Sequence, residues 1–127
     1  MTYLDDAKAH LVKAREFLEA ARDEYDFDRL NACVSSAVIS GVNSKDAICL
    51  KTTKHTNKTE NHNDAIVELK RSGPDGAALA TTFGRLLAMK PKSQYQTGSV
   101  SARNARDAVN WAQKMYDVAV VVVTRSG

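Results

Sequence analysis

The stretch from Leu30 to Leu50 contains no proline and places apolar residues at Leu30, Val34, Ala37, Val38, Gly41 and Ile48, spacing that predicts one helix of about five turns. Its other faces carry Ala32, Ser35, Ser36, Ser40, Gly41 and Ser44 where a surface helix would show Lys and Glu. Small side chains let neighbouring backbones approach closely, so this helix is expected at the centre of the fold, contacted on more than one side. Its buried serines can return their hydroxyls to the carbonyl one turn back. Lys45 and Asp46 are two charges on a helix otherwise dressed for burial. They either reach a helix rim and are solvated or paired, or sit in a polar cleft.

The flanking segments read as helices too. Leu4, Ala7, Leu11, Ala14, Leu18, Ala21 and Tyr25 keep three- and four-residue spacing, which predicts an amphipathic helix from about Tyr3 to Tyr25, with Asp5 and Asp6 suited to its positive end. The segment Lys51 to Asn63 has no apolar residue and is expected to be a solvated, mobile loop whose lysines and His55 are solubilising or touch an anion. Asn61 or Asn63 can cap a short third helix bearing Ala65, Ile66 and Leu69, with His62 at its start. Gly73, Pro74 and Gly76 then break the pattern, so the third element is expected in two pieces, Asn63–Arg71 and about Asp75 to Met89. Pro91 should stop it, leaving residues 92–98 as a loop. Ser99 or Ser101 caps a final helix with a stripe of Ala105, Ala108, Trp111, Ala112, Met115, Val118, Ala119 and Val122.

The run Ala119 to Val123 alone would suit a strand, but the helical stripe enters it unbroken and a lone strand would lack a partner. As a helix it is apolar nearly all round, with Val120, Val121 and Val123 off the stripe. That predicts cover from a second subunit, hence a homodimer weakened by Val121→Asp or Val123→Asp. The expected fold is all-α, an up-and-down bundle of four to five helices in one domain spanning residues 1–127.

Charge is placed unevenly. The chain carries +3 overall, yet up to Leu30 it has eight acidic residues against five basic ones, so the remainder carries +6. Arg85, Lys90, Lys92, Arg103 and Arg106 fall in one stretch with no acid among them. They are expected to gather near Tyr95 at one end of the bundle, where cations, an aromatic ring and a helix N-terminus suit phosphate or an exposed base. The competing reading is ordinary surface solubility.

Other chemistry finds little footing. There is no glycine-rich phosphate loop, no His-Glu-x-x-His or Glu-x-x-His metal pair and no serine elbow between glycines, so no catalytic residue, metal or cofactor is expected. Cys33 and Cys49 lie sixteen residues apart on one helix, about 24 Å, too far to bond to each other. Two unpaired thiols fit a cytoplasmic protein and argue against zinc. The acidic N-terminus lacks the apolar core of a signal peptide, and Val118 to Val123 is too short to span a bilayer, so no membrane is expected.

The order Phe17-Leu-Glu-Ala-Ala21, Ala37-Val-Ile-Ser-Gly41 followed by Lys45-Asp-Ala47, His62-Asn-Asp-Ala-Ile66, Arg85-Leu-Leu-Ala-Met-Lys90 with Tyr95, and Asn104-Ala-Arg-Asp-Ala108 resembles a small bacterial HEPN domain across nearly the whole chain. That resemblance implies a dimerising helical bundle. Its members act as toxin ribonucleases, as partners of minimal nucleotidyltransferases in toxin–antitoxin or defence systems, or as non-catalytic nucleic-acid binders. Ribonuclease members carry an arginine, four to six intervening residues and a histidine. Here no histidine follows Arg103 or Arg106, and Ala108 stands where Arg103 would want one, which removes the natural proton-transfer group. The expected function is therefore a non-catalytic module engaging nucleic acid, nucleotide or a protein partner such as a cognate nucleotidyltransferase. The rivals are a diverged ribonuclease toxin built on Asp46, His62, Lys90 and Tyr95, and a purely structural adaptor.

Overall fold

A computed structural model describes residues 2–58 and 60–126. Its elements are helices α1 (Tyr3–Asp26), α2 (Leu30–Thr53), α3 (His62–Arg71), α4 (Pro74–Ala88), the short α5 (Lys90–Gln94) and α6 (Ala102–Thr124). Among the described residues there is no strand, and the valine-rich end of the chain is helical.

Polar residues set the boundaries. Thr2 caps α1 through the Asp5 amide, and the Asp5 carboxylate returns to the Thr2 amide, a reciprocal capping box. Asn61 caps α3 through the amide of Asp64, and Ser101 caps α6 through that of Asn104. Asp28 turns the chain between α1 and α2 with φ 60°, the left-handed region that Asp tolerates better than most residues. Helix α4 stops at Ala88, ahead of Pro91 as expected, but the proline does not lead straight into a loop. It opens α5, because a helix's first turn needs no amide hydrogen there, so the loop into α6 begins only at Tyr95.

Helix α2 occupies the middle, and its small residues are the reason. Along one face it runs antiparallel to α1, with the Ser36 hydroxyl on Glu24, Ser40 Oγ donating to the Ala14 carbonyl at 2.7 Å, and Asn43 beside His10. A hydroxyl reaching a backbone carbonyl of another helix requires close axes. Ala7, Ala14 and Ala21 on α1, each fully buried, permit that approach. On the opposite face Gly41 meets α4 and α6. A Cβ there would lie 2.5 Å from Leu86 Cδ2 and 3.4 Å from Met115 Sδ.

The remaining directions follow from paired residues. Cys33 lies beside the Ala105 carbonyl and Lys51 bonds that of Arg125, so α6 runs parallel to α2 and antiparallel to α1. Arg125 pairs with Asp75 at 3.0 Å at one end of α4, so α4 runs back against α6. The two pieces of the third element do not continue one line. Ile66 packs beside Gly84 and Ser72 beside Gly76, making α3 and α4 an antiparallel hairpin. Alternating directions thus hold for α1, α2, α4 and α6, with α3 and α5 as extra short segments.

One core cluster joins Leu18, Val34, Ile48, Leu69, Phe83, Leu86 and Met115, and a smaller one joins Ala7, Ala47, Leu50 and Val123. Val123 is 2% exposed and belongs to this chain's own core, which corrects its expected role as a contact for a second subunit. Val120 is half-buried, and Val121 is the exposed valine of that run.

Candidate functional site

Lys45 and Asp46 do not reach a solvated rim; they are 1% and 5% exposed. Burying an ammonium is tolerable only with close counter-charges and satisfied donors, and both are present. Lys45 Nζ contacts the Glu68 carboxylate, lies 3.2 Å from Asp46 Oδ1, and donates to Thr56 Oγ1 at 3.0 Å and the Asn57 carbonyl at 3.1 Å. Thr56 donates to Asp46 Oδ1 at 2.6 Å, and the Asn57 amide donates to Glu68 at 2.8 Å. Burial by itself would neutralise both ions. The Glu68 hydrogen bond and the Asp46 charge outweigh it and hold Lys45 above its ordinary value, while Lys45, the Asn57 amide and Thr56 hold Glu68 below the usual carboxylate range.

Most of residues 51–63 are solvated as expected, but the network fastens the segment expected to be mobile. Helix α2 continues to Thr53, and Thr56 and Asn57 are tied to buried charges; Thr59 lies outside the described residues. A loop without apolar residues can still be anchored, through hydrogen bonds to ions that the core cannot otherwise hold.

His10 extends the same system. Asn43 spends its amide on the Ile39 carbonyl at 2.9 Å, so its Oδ1 accepts from His10 Nδ1 at 2.8 Å, which leaves His10 Nε2 to accept from Lys58 Nζ at 2.9 Å. Asp46 Oδ2 stands 3.9 Å from the same Nδ1. His10, Glu68, Thr56 and Asn57 were not singled out from the sequence. His10 and Glu68 each lie three residues from an apolar position of their helix stripe, Ala7 and Ala65, and that flank was the available signal.

Above the network opens a cleft of about 210 Å³ with Val38, Val42, Ala65 and Leu87 as apolar walls. Asp46, His62 and Lys90, three residues distant in sequence, line it together. Tyr95 does not; it is 73% exposed beyond α5.

The other cations lie on elements that pack beside the half of α2 nearest its start. Arg103 and Arg106 are exposed in the first turns of α6, near the level of Cys33 on α2; Lys92 is exposed on α5, whose Ser93 meets Ser35; Arg85 is exposed on α4 beside Leu86, which meets Gly41. From Cys33 to Gly41 is about 12 Å along α2, so the elements that carry them pack beside the first half of that helix. Among the described residues, none of Arg85, Lys90, Lys92, Arg103 and Arg106 forms an ion pair.

Both cysteines are buried and unbonded. Burial, with Glu24 nearby, pushes the Cys33 thiol up to about 11; burial, only partly offset by Lys45, pushes Cys49 up to about 12. Burial that raises a thiol works against the thiolate form that a nucleophile needs. Among the described residues no group of three or more His, Cys, Asp or Glu is placed to hold a metal ion, and no helix is long and apolar enough to cross a membrane. Fold and site together define an all-helical bundle with a buried ionic network under an amphipathic cleft. No protein-family model matches the chain, and no curated protein matches it significantly.

Proposed function

We propose that this chain is a non-catalytic, HEPN-like binding module that engages a nucleic-acid strand through Arg85, Lys92, Arg103 and Arg106, with Lys90 at the cleft mouth and Tyr95 as a stacking platform. The observation that carries the reading is that Arg85, Lys92, Arg103 and Arg106, on α4, α5 and the start of α6, are exposed and, among the described residues, without ion-pair partners, with Tyr95 exposed just after α5. Four exposed cations on three elements suit successive phosphates of one strand better than a single phosphate group. Unpaired arginines keep their forked donors available to phosphate oxygens, and an exposed ring accepts a base whatever its sequence. The test is fluorescence anisotropy with a single-stranded RNA oligonucleotide. Arg103→Ala with Arg106→Ala should weaken binding about tenfold or more. Unchanged affinity in that variant would remove the reading and favour a protein partner, such as a nucleotidyltransferase, on the same surface.

The proposal includes a homodimer in which the exposed Val121 meets its counterpart, the second chain supplying cover that this one does not.

One observation favours a second reading, a diverged ribonuclease: Asp46, His62 and Lys90 line the same cleft. Against it, Asp46 already accepts from Lys45 and Thr56, and the tyrosine invoked with it lies outside. Purified protein that degrades total RNA, with His62→Ala abolishing the cleavage, would establish it; RNA left intact would dismiss it.

A further inference from the structure

Where α1 faces the end of α2, a second cavity of about 460 Å³ opens, separate from the cations of α4, α5 and α6. Lys13 reaches it from α1, Lys54 from the left-handed turn that closes α2, and His55 and Lys58 from the loop beyond, with His10 in its wall. Among the described residues Asp6 is the one acid lining it. Cations near the last turn of α2 have an ordinary explanation, because a helix C-terminus attracts positive charge. That explanation does not extend to Lys13, which comes from the middle of α1 and has no ion-pair partner among the described residues.

Two of the lysines are also held. Lys58 donates to His10 Nε2, whose other nitrogen is fixed by Asn43, and Lys54 lies 5.2 Å over the Tyr3 ring. Restrained ammonium groups lose less freedom on meeting a ligand, which is the requirement of a preorganised anion site. Among the described residues Ala9 and Leu50 are its apolar side chains, and the other lining residues are polar or charged. Its volume falls within the range of small-molecule sites.

We infer that this cavity binds the phosphate groups of a small phosphorylated molecule carrying two or more negative charges, through Lys13, Lys54, Lys58 and His55. It lies toward the opposite end of α2 from Arg103 and Arg106, so the two functions separate experimentally.

The probe is pyrophosphate, titrated at constant ionic strength into the full chain and followed by amide chemical shifts. The expected result is saturable binding that moves the amides of Lys13, Lys54 and His55. Lys13→Glu with Lys54→Glu should weaken it about tenfold or more, and Lys13→Gln alone by a smaller factor, with helicity retained. Arg103→Ala with Arg106→Ala should leave it unchanged. Absence of saturation, shifts centred elsewhere, or equal affinity in the Lys13 and Lys54 variants would overturn the inference.

Discussion

Replacing Lys45 by methionine would keep most of its volume and strand two carboxylates, Asp46 and Glu68, without their shared cation. Breaking a buried pair on one side typically costs about 3–5 kcal/mol, so chemical denaturation should show a loss of that order. Lys45→Met combined with Glu68→Gln should recover part of it, since no unpaired Glu68 charge then remains. The same pair shapes the pH dependence. Glu68 titrates lower folded than unfolded, so its contribution is complete above its ordinary value of 4.5 and is lost as pH falls through the depressed folded value. Lys45 titrates higher folded, so its contribution is complete below 10.5 and is lost as pH rises through the raised folded value. Melting temperatures across pH should fall on both flanks, and Glu68→Gln should flatten the acid limb. In the sequence, Lys45 and Asp46 were visible as charges among small residues. Their partners were not, because a glutamate on a short amphipathic helix and a threonine in a polar loop are commonplace until a fold sets them against a buried ion.

At the level of elements, α1 and α6 were legible from unbroken three- and four-residue spacing, and α2 from the smallness of its off-stripe residues, which the close contact of Ser40 with the Ala14 carbonyl requires. The reversal between α3 and α4 was not legible, because glycine and proline mark where a helix ends without fixing the direction taken next. Gly76 shows what the turn demands. A Cβ there would fall inside the contact distance of Ser72 Oγ and of the Leu69 carbonyl, and backbone cannot rotate away as a side chain can. Gly76→Ala should therefore destabilise the protein by about 1–3 kcal/mol despite alanine's better helix propensity, read from the shift of a urea denaturation midpoint. Helix α5 escaped notice because proline in a first turn starts a helix as readily as a proline further on ends one.

Across the whole molecule, two groups of charge stand apart: Lys45 with the Asp46 and Glu68 carboxylates, which fastens the loop after α2, and the exposed cations of α4, α5 and α6, which make no ion pair among the described residues. Association adds a further term. With Val123 enclosed by Ala7, Ala47 and Leu50, Val121→Asp should convert the proposed dimer to monomer while keeping helicity, and Val123→Asp should unfold the end of α6 instead. Sedimentation velocity with circular dichroism separates the two outcomes. The central claim, that the exposed cations bind a nucleic-acid strand, is tested most directly by the salt dependence of that binding. Four phosphate contacts on a single strand predict a slope of log K against log salt of about −3, reduced in size by about 1.4 when Arg103 and Arg106 become alanine. A slope near zero, or one the double substitution leaves unaltered, would contradict it.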